Sequence, residues 1–210
     1  MYFKLARFFI ILSFFAIPIV SISTLFPFIV GKYSWFRASV DFGLLFFALG
    51  LLFSKEKDFY EERAIRVLKS PLGTAVGVFV FVFLLAGFLG FDPANSFWSN
   101  FERGEGGVQM LHLYAFFVLL TALFTTEEKW RKVLGFMILS GFLMAAYGVM
   151  ANLGFSNFVG SSKGAAFFAQ RFEGSVGNAA YVSVFSLFLL FYVAYLLVSA
   201  DKKKLKKNFI

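Results

Sequence analysis

Residues 178–207 read NAAYVSVFSLFLLFYVAYLLVSADKKKLKK, and this stretch decides the class of protein. The chain carries no charge from Gly174 to Ala200, and five lysines follow between residues 202 and 207. About 20 helical residues cross a hydrocarbon core of about 30 Å. The stretch therefore predicts a membrane-spanning helix with a basic flank.

The composition of the whole 210-residue chain has the same character. It is 60% hydrophobic and 15% charged, whereas an average soluble domain is about 45–50% apolar and about 25% charged. It contains 34 Phe, no Cys and a single His, and its mean hydropathy is +0.78. These values exclude a disordered chain, a disulfide scaffold and a thiolate metal site. They predict an integral membrane protein.

The remaining apolar runs predict an all-α, polytopic transmembrane helix bundle that forms a single domain over residues 1–210. We expect six spans, at approximately 8–30, 36–54, 71–91, 107–126, 133–151 and 178–200. The second span includes Arg37 and Asp41, which share a helix face and can pair near the membrane boundary, as an anchor or with a function. The first lacks a clear signal-peptide cleavage site, and its Pro18 and Pro27 predict a kink or an early end.

The distribution of basic residues predicts the orientation of the spans. Counted over alternate loops, one side holds 15 Lys and Arg residues and the other holds five. Because cytoplasmic loops carry the excess of Lys and Arg, both termini are expected in the cytoplasm. This topology accounts for most of the net charge of +8, so no nucleic-acid partner is needed. Residues 55–69, KEKDFYEERAIRVLK, predict a short solvated or interfacial helix on the cytoplasmic side.

The few basic residues on the predicted outer side are the candidates for ligand binding. They are Lys32, Arg37, Arg103, Lys163 and Arg171. Arg103 lies between Glu102 and Glu105, and Arg171 precedes Glu173 by two residues, so local ion pairing and ligand binding are both open. The aromatic residues beside them suit the headgroup layer.

Two further features of the outer side have specific chemistry. Gly174, Gly177 and Asn178 lie just before the last span, where glycines and an Asn cap leave N–H groups for a phosphate of a lipid-linked anion. His112, near the outer end of the fourth span, could be a general base or a hydrogen-bonding partner of a neighbouring helix. Because no second His, Cys or acidic cluster accompanies it, a metal site is not expected.

Three outer segments resemble one family of membrane proteins. Residues 96–112, SFWSNFERGEGGVQMLH, look like the S-x-x-x-N-x-E-R-x-x-G segment of O-antigen ligase and O-antigen polymerase-like proteins. Residues 171–183, RFEGSVGNAAYVS, are similar to the family's R-x-x-G-x-x-G-N element. Residues 26–41, FPFIVGKYSWFRASVD, resemble its first outer loop. The three occur in the family's order.

The resemblance implies a glycosyltransferase of the GT-C type in cell-envelope or lipopolysaccharide biosynthesis. Such an enzyme transfers a glycan from undecaprenyl pyrophosphate to a glycan or lipid acceptor, outside the bacterial cytoplasmic membrane and without a metal or other cofactor. The residue that matches the family's pyrophosphate-binding arginine is Arg171. Arg103 is a second candidate, on a less complete match to the family's motif. The Gly174–Asn178 helix start, Lys32 and Arg37 would support them, and membrane lipids would be further partners.

The chain also departs from the family in length. Members are about twice as long, and the histidine thought to activate the acceptor lies in their second half. The match is therefore to the N-terminal half of the family's members. The chain would be a truncated gene product, a half whose partner is encoded separately, or a shortened relative. The catalytic residues are unknown, and His112 does not inherit that role. Two other functions stay open: a six-span transporter or lipid-handling module, and a non-catalytic membrane scaffold.

Overall fold

The computed structural model describes residues 1–100, 104–155, 158 and 171–208, with side chains described up to residue 200. Within these residues it contains α-helices and one short 3₁₀ turn, and no strand. The helices are α1 (Tyr2–Ser13), α2 (Val30–Phe53), α3 (Lys57–Lys69), α4 (Pro71–Phe88), α5 (Pro93–Trp98), α6 (Gly107–Leu123), α7 (Glu127–Asn152) and α8 (Ala179–Asn208). The all-α prediction is confirmed, as is a helix in the 55–69 segment.

Four of these helices are long and apolar enough to cross a membrane: α2, α4, α7 and the Ala179–Ala200 part of α8. Only 11% of the most apolar stretch of α4 is buried, and 6% of that of α8. Helices that are apolar all round and exposed need a lipid environment. The chain is therefore a membrane protein. Helix α6 has 17 residues, or about 25 Å, so the six-span count and the cytoplasmic termini stay predictions.

The first predicted span differs from a continuous helix over 8–30. Helix α1 ends at Ser13, a 3₁₀ turn covers Phe14–Ala16, and Pro18 follows. A proline lacks the N–H of a helical hydrogen bond, and its ring clashes with the carbonyl four residues earlier. The early end predicted from Pro18 is confirmed.

Helix α2 begins earlier than predicted, at Val30 rather than near residue 36. Asp41 is consequently the twelfth of 24 residues in the helix and not a residue near its end. At 1.5 Å per residue, its Cα lies about 18 Å from that of Phe53. Arg37 and Asp41 therefore lie farther from the start of the helix than the sequence indicated, and Lys32 lies in its first turn.

Short polar side chains begin the other long helices. The Ser70 hydroxyl accepts from the Gly73 N–H at 3.0 Å before α4, and the Thr126 hydroxyl accepts from the Lys129 N–H at 3.3 Å before α7. The Asn178 amide oxygen accepts from the Ala180 N–H at 2.9 Å before α8. Each bond satisfies an N–H that the helix itself leaves unpaired. The predicted start of the last helix near Asn178 is confirmed.

The chain forms two compact units. Unit 1 comprises residues 1–16 and 23–125, and unit 2 comprises residues 17–22 and 126–210. In unit 1, α1 runs antiparallel to α2, since Phe3 contacts Phe47 near the end of α2 and the Leu12 carbonyl accepts from the Trp35 indole near its start. Phe3 also contacts Tyr60 of α3, with ring centroids 3.9 Å apart.

Helices α2 and α6 run parallel in unit 1, and α4 runs opposite to α6. Unit 1 therefore has an α3 end, with the start of α1 and the end of α2, and an α5 end, with the starts of α2 and α6. The basic residues of α1 and of the 55–69 segment lie at the α3 end, whereas Lys32 and Arg37 lie toward the α5 end. Unit 1 thus separates the two groups of basic residues that the sequence assigned to opposite sides.

Candidate functional site

Four polar residues form two cross-links between α2 and α6. Arg37 Nε donates to Gln109 Oε1 at 2.9 Å, and His112 Nε2 lies 3.1 Å from Asp41 Oδ1. The α2 residues are four apart and the α6 residues three apart, so each pair occupies one face of its helix. We call Arg37, Asp41, Gln109 and His112 the α2–α6 polar ladder.

Arg37 also holds the loop that precedes α6. Its Nη2 donates to the Gly104 carbonyl, and its guanidinium carbon lies 4.7 Å from the centroid of the Tyr33 ring. A guanidinium has five N–H donors, and these two hydrogen bonds use two of them. Among the described residues, the other three N–H groups have no hydrogen-bond partner, so they could bind an anion while the loop stays attached to α2.

The local ion pair predicted from the spacing of Arg37 and Asp41 is not formed. Arg37 bonds to Gln109 and Gly104, and Asp41 bonds to His112. The cause is the neighbouring helix, because α6 presents an amide and an imidazole to the face of α2 that carries both charges. The pairing is interhelical, over 71 and 72 residues of sequence.

The loop that directly precedes α6 has no room for side chains at two of its glycines. Gly104 has a φ of 60°, which favours glycine, and a Cβ added there would lie 3.0 Å from the Tyr33 ring. A Cβ added to Gly106 would lie 2.5 Å from the Phe97 carbonyl oxygen. The glycines of the predicted GEGG segment are therefore required by close approach to Tyr33 on one side and to the 97–99 backbone on the other.

His112 uses both ring nitrogens within the protein. Its Nδ1 lies 2.7 Å from the Val108 carbonyl oxygen, which can only accept, so Nδ1 carries a hydrogen. Its Nε2 faces Asp41, and the imidazole is 17% exposed while the Asp41 side chain is 62% exposed. Neither nitrogen is available to a substrate in this arrangement. The contact with a neighbouring helix, one of the two interpretations of His112, is observed.

An apolar cavity of about 600 Å³ adjoins the loop at the α5 end of unit 1. Apart from Ser96 its lining is apolar, and it includes Phe81, Leu84, Phe88, Phe97 and Gly107 from α4, α5 and α6. Its volume lies within the range of about 300–1,000 Å³ typical of ligand pockets. Gly107 borders this cavity, and Gly104, three residues earlier, bonds to Arg37.

The predicted glycine-rich element before the last span lies in unit 2, where it forms a turn. Gly174 and Gly177 have φ values of 54° and 73°. A Cβ added to Gly174 would lie 3.1 Å from Met144 Cγ of α7, so the turn approaches that helix closely. Asn178 caps α8 as described above. These residues therefore have structural roles that are independent of any ligand.

Arg171 and Ser175 lie on either side of Gly174 and differ in environment. Arg171 is exposed, and it forms no ion pair with Glu173 in the described part of unit 2. Ser175 is fully buried and donates to the Ile17 carbonyl at 2.7 Å. The local pair considered for Arg171 is thus not observed, and its guanidinium is exposed.

The other predicted site residues have the following positions. Lys32 is half-buried in the first turn of α2, whereas Arg103 and Lys163 lie outside the described residues. Within the described ranges, no group of three or more His, Cys, Asp or Glu side chains could hold a metal ion. The sequence reasoning missed Gln109 and Tyr33. Gln109 had a signal, because it is a polar residue three positions before His112 in an otherwise apolar helix.

Comparison with known protein families, curated proteins and solved structures gives no match for this chain. The functional inference therefore rests on the residues of the site and on the motifs that it contains.

Proposed function

We propose that this chain is a membrane glycosyltransferase, or the N-terminal half of one. It would transfer a glycan from undecaprenyl pyrophosphate to a glycan or lipid acceptor outside the bacterial cytoplasmic membrane. One observation carries the proposal: Arg37, from the first motif segment, bonds directly to Gly104 and Gln109, from the second. Two segments that resemble the same family thus meet in one site, which supports a shared role for them.

The chemistry of Arg37 suits the pyrophosphate of the carrier. Forked guanidinium donors bind phosphate oxygens strongly, and three N–H groups of this side chain have no partner among the described residues. In the transfer, the acceptor hydroxyl oxygen forms a bond to the anomeric carbon while the bond from that carbon to the pyrophosphate oxygen breaks, and the hydroxyl proton passes to water. Negative charge develops on the leaving pyrophosphate, and a fixed cation there lowers the barrier. Lys32, one to two turns earlier on α2, would add positive charge.

The apolar cavity favours a donor whose carrier is a lipid. A polyprenyl pyrophosphate needs an apolar surface for its chain close to cations for its head group. In unit 1, Gly104, whose carbonyl accepts from Arg37, and Gly107, which begins α6 and borders the cavity, are three residues apart in the sequence. Their proximity favours an amphiphilic ligand over a soluble one.

Unit 2 has a cationic region of its own in the third motif segment. Arg171 is exposed without an ion pair to Glu173, and the capped start of α8 follows seven residues later. An exposed guanidinium before a helix N-terminus is a favourable anion-binding arrangement. We therefore retain Arg171, Gly174, Gly177 and Asn178 as pyrophosphate-binding residues in the proposal, with the structural roles of the glycines in addition.

A transporter is the second candidate, and the Asp41–His112 contact favours it. Ionisable residues inside a membrane span often mark ion or proton pathways. Here the pair links two helices at a point where α2 has twelve more residues before its end. Movement of a substrate across the bilayer, without transfer of a glycan, would identify this function.

One reconstitution experiment distinguishes the two functions. The purified chain, alone and with any multi-span protein encoded beside it, is placed in proteoliposomes with a labelled undecaprenyl-pyrophosphate glycan and an acceptor. We expect acceptor-dependent release of undecaprenyl pyrophosphate, reduced at least about tenfold in Arg37→Met and Arg171→Met, a loss of about 1.4 kcal/mol in transition-state stabilisation. Arg66→Met is the matched control, since Arg66 is an exposed arginine of α3. Movement of the label without release would contradict the glycosyltransferase.

A further inference from the structure

His112 makes two contacts that a neutral imidazole cannot make at once with an ionised carboxylate. Its Nδ1 is 2.7 Å from the Val108 carbonyl oxygen, and its Nε2 is 3.1 Å from Asp41 Oδ1. A carbonyl and a carboxylate both only accept hydrogen bonds, whereas a neutral imidazole has one N–H. The proton on Nδ1 is used by Val108, so the second contact requires another proton.

We propose that Asp41 and His112 form a proton-binding site within unit 1. An ionised carboxylate and a neutral imidazole carry one hydrogen between them, on the ring, and this pair binds one proton in addition. The proton lies between Nε2 and Oδ1, either as an imidazolium beside a carboxylate or as a protonated carboxyl that donates to Nε2. The proton count is the same in both forms and belongs to the pair. On release the proton passes to water, and two acceptors then face each other.

The position of the pair in the helix gives this proton a structural consequence. Asp41 lies about 18 Å along α2 from Phe53, in a helix that is long and apolar enough to cross a membrane. Its side chain is 62% exposed, whereas that of His112 is 17% exposed. The carboxyl group is therefore the more accessible partner of the pair, and the imidazole is the more enclosed one. Loss of the proton removes one of the two cross-links of the α2–α6 polar ladder.

The charged groups on the surrounding helices do not replace His112 as a hydrogen-bond donor to Asp41. Arg37 is the nearest on α2, and it bonds to Gln109 and Gly104 instead of Asp41. Helix α4, which packs against α6, has no charged residue, and Tyr114 of α6 has its hydroxyl close to Gly77 of α4. Among the described residues, the remaining charged or titratable groups on α1, α2, α3 and α6 or next to them are the Met1 amino group, Tyr2, Lys4, Arg7, Lys32, Tyr33, Tyr60, Glu105 and the charged side chains of the α3 end.

The single histidine of the chain makes the test direct. Labelling the full-length protein with ¹⁵N-histidine in lipid bilayers reports the His112 ring alone. In the paired state we expect a hydrogen on Nδ1, together with either a hydrogen on Nε2 or an infrared band of a protonated carboxyl that is lost in Asp41→Asn.

Asp41→Asn keeps the contact without the extra proton, because its amide N–H can donate to Nε2. At each pH where the parent chain shows the paired state, this variant should show a hydrogen on Nδ1 only. Glu105→Gln, at the same end of unit 1, is the control and should resemble the parent. A neutral ring with its hydrogen on Nε2, or a parent spectrum that Asp41→Asn leaves unchanged, would overturn the proposal. These outcomes concern protonation alone, so they are independent of glycan transfer.

Discussion

The Arg37–Gln109 hydrogen bond joins the first two motif segments, and a double-mutant cycle measures it. Arg37→Met and Gln109→Met are made singly and together, since methionine retains an unbranched side chain of similar length. Interhelical hydrogen bonds in membrane proteins average about 0.6 kcal/mol and reach about 1.7, and hydrogen bonds to charged groups are the stronger ones. For a charged donor at 2.9 Å we expect a coupling energy of about 1–1.5 kcal/mol.

The Arg37→Met variant should lose more stability than Gln109→Met. It also loses the bond to Gly104 and the contact with the Tyr33 ring at 4.7 Å, so we expect a destabilisation of about 2–4 kcal/mol. The assay is reversible unfolding in mixed micelles of increasing SDS fraction, followed by tryptophan fluorescence. A control cycle pairs Gln109→Met with Arg66→Met, which should be additive within about 0.5 kcal/mol. A coupling energy below about 0.3 kcal/mol for Arg37 and Gln109 would refute the contact.

Three substitutions test other parts of the structure by the same unfolding assay. Ser99→Gly should stabilise the chain by about 1 kcal/mol, because Ser99 has φ 62° and ψ −176°, a region that only glycine adopts readily; a neutral or destabilising result would contradict this backbone geometry. Gly148→Ala should destabilise by about 2 kcal/mol or more, because its Cβ would lie 2.7 Å from the Gly174 Cα; wild-type stability would exclude that close approach. Tyr60→Phe should cost about 1–2 kcal/mol, since it removes the acceptor of a 2.9 Å bond from Arg7, and an unchanged midpoint would show the bond to be unimportant.

The helices were predictable where apolar runs meet local capping chemistry. Ser70 before Pro71 and Thr126 before two glutamates are start signals of a helix, and the structure has helices α4 and α7 there. The start of α2 was not predictable in this way. Residues 30–36 are too polar for the hydrocarbon core, but hydropathy reports the lipid environment and not helix formation, so the helix extends beyond its apolar part.

The candidate site was predictable in its residue types and not in its contacts. Arg37, Asp41 and His112 are ionisable residues in or near apolar spans, which marked them in the sequence. Their spacing along the chain favoured a local Arg37–Asp41 pair, whereas the observed partners are 71 and 72 residues away. Such pairings depend on which helix faces meet, and the single-chain periodicity of α2 and α6 does not specify it.

The turn before α8 shows the same limit. The Asn178 cap and the positive φ values of Gly174 and Gly177 follow from residue preferences that the sequence displays. The burial of Ser175 and its bond to the Ile17 carbonyl depend on a segment 158 residues earlier. The sequence therefore predicted the capped start of α8, and neither the turn before it nor the contact that fixes that turn.

Binding of the carrier lipid tests the central claim most directly. The purified chain in nanodiscs is titrated with undecaprenyl pyrophosphate and, separately, with undecaprenol, which lacks the anion. The account predicts saturable binding of the pyrophosphate at least about tenfold tighter than of the alcohol, with this difference lost in Arg37→Met and retained in Arg66→Met. Equal affinity for the two lipids, or a preference that Arg37→Met leaves unchanged, would contradict it.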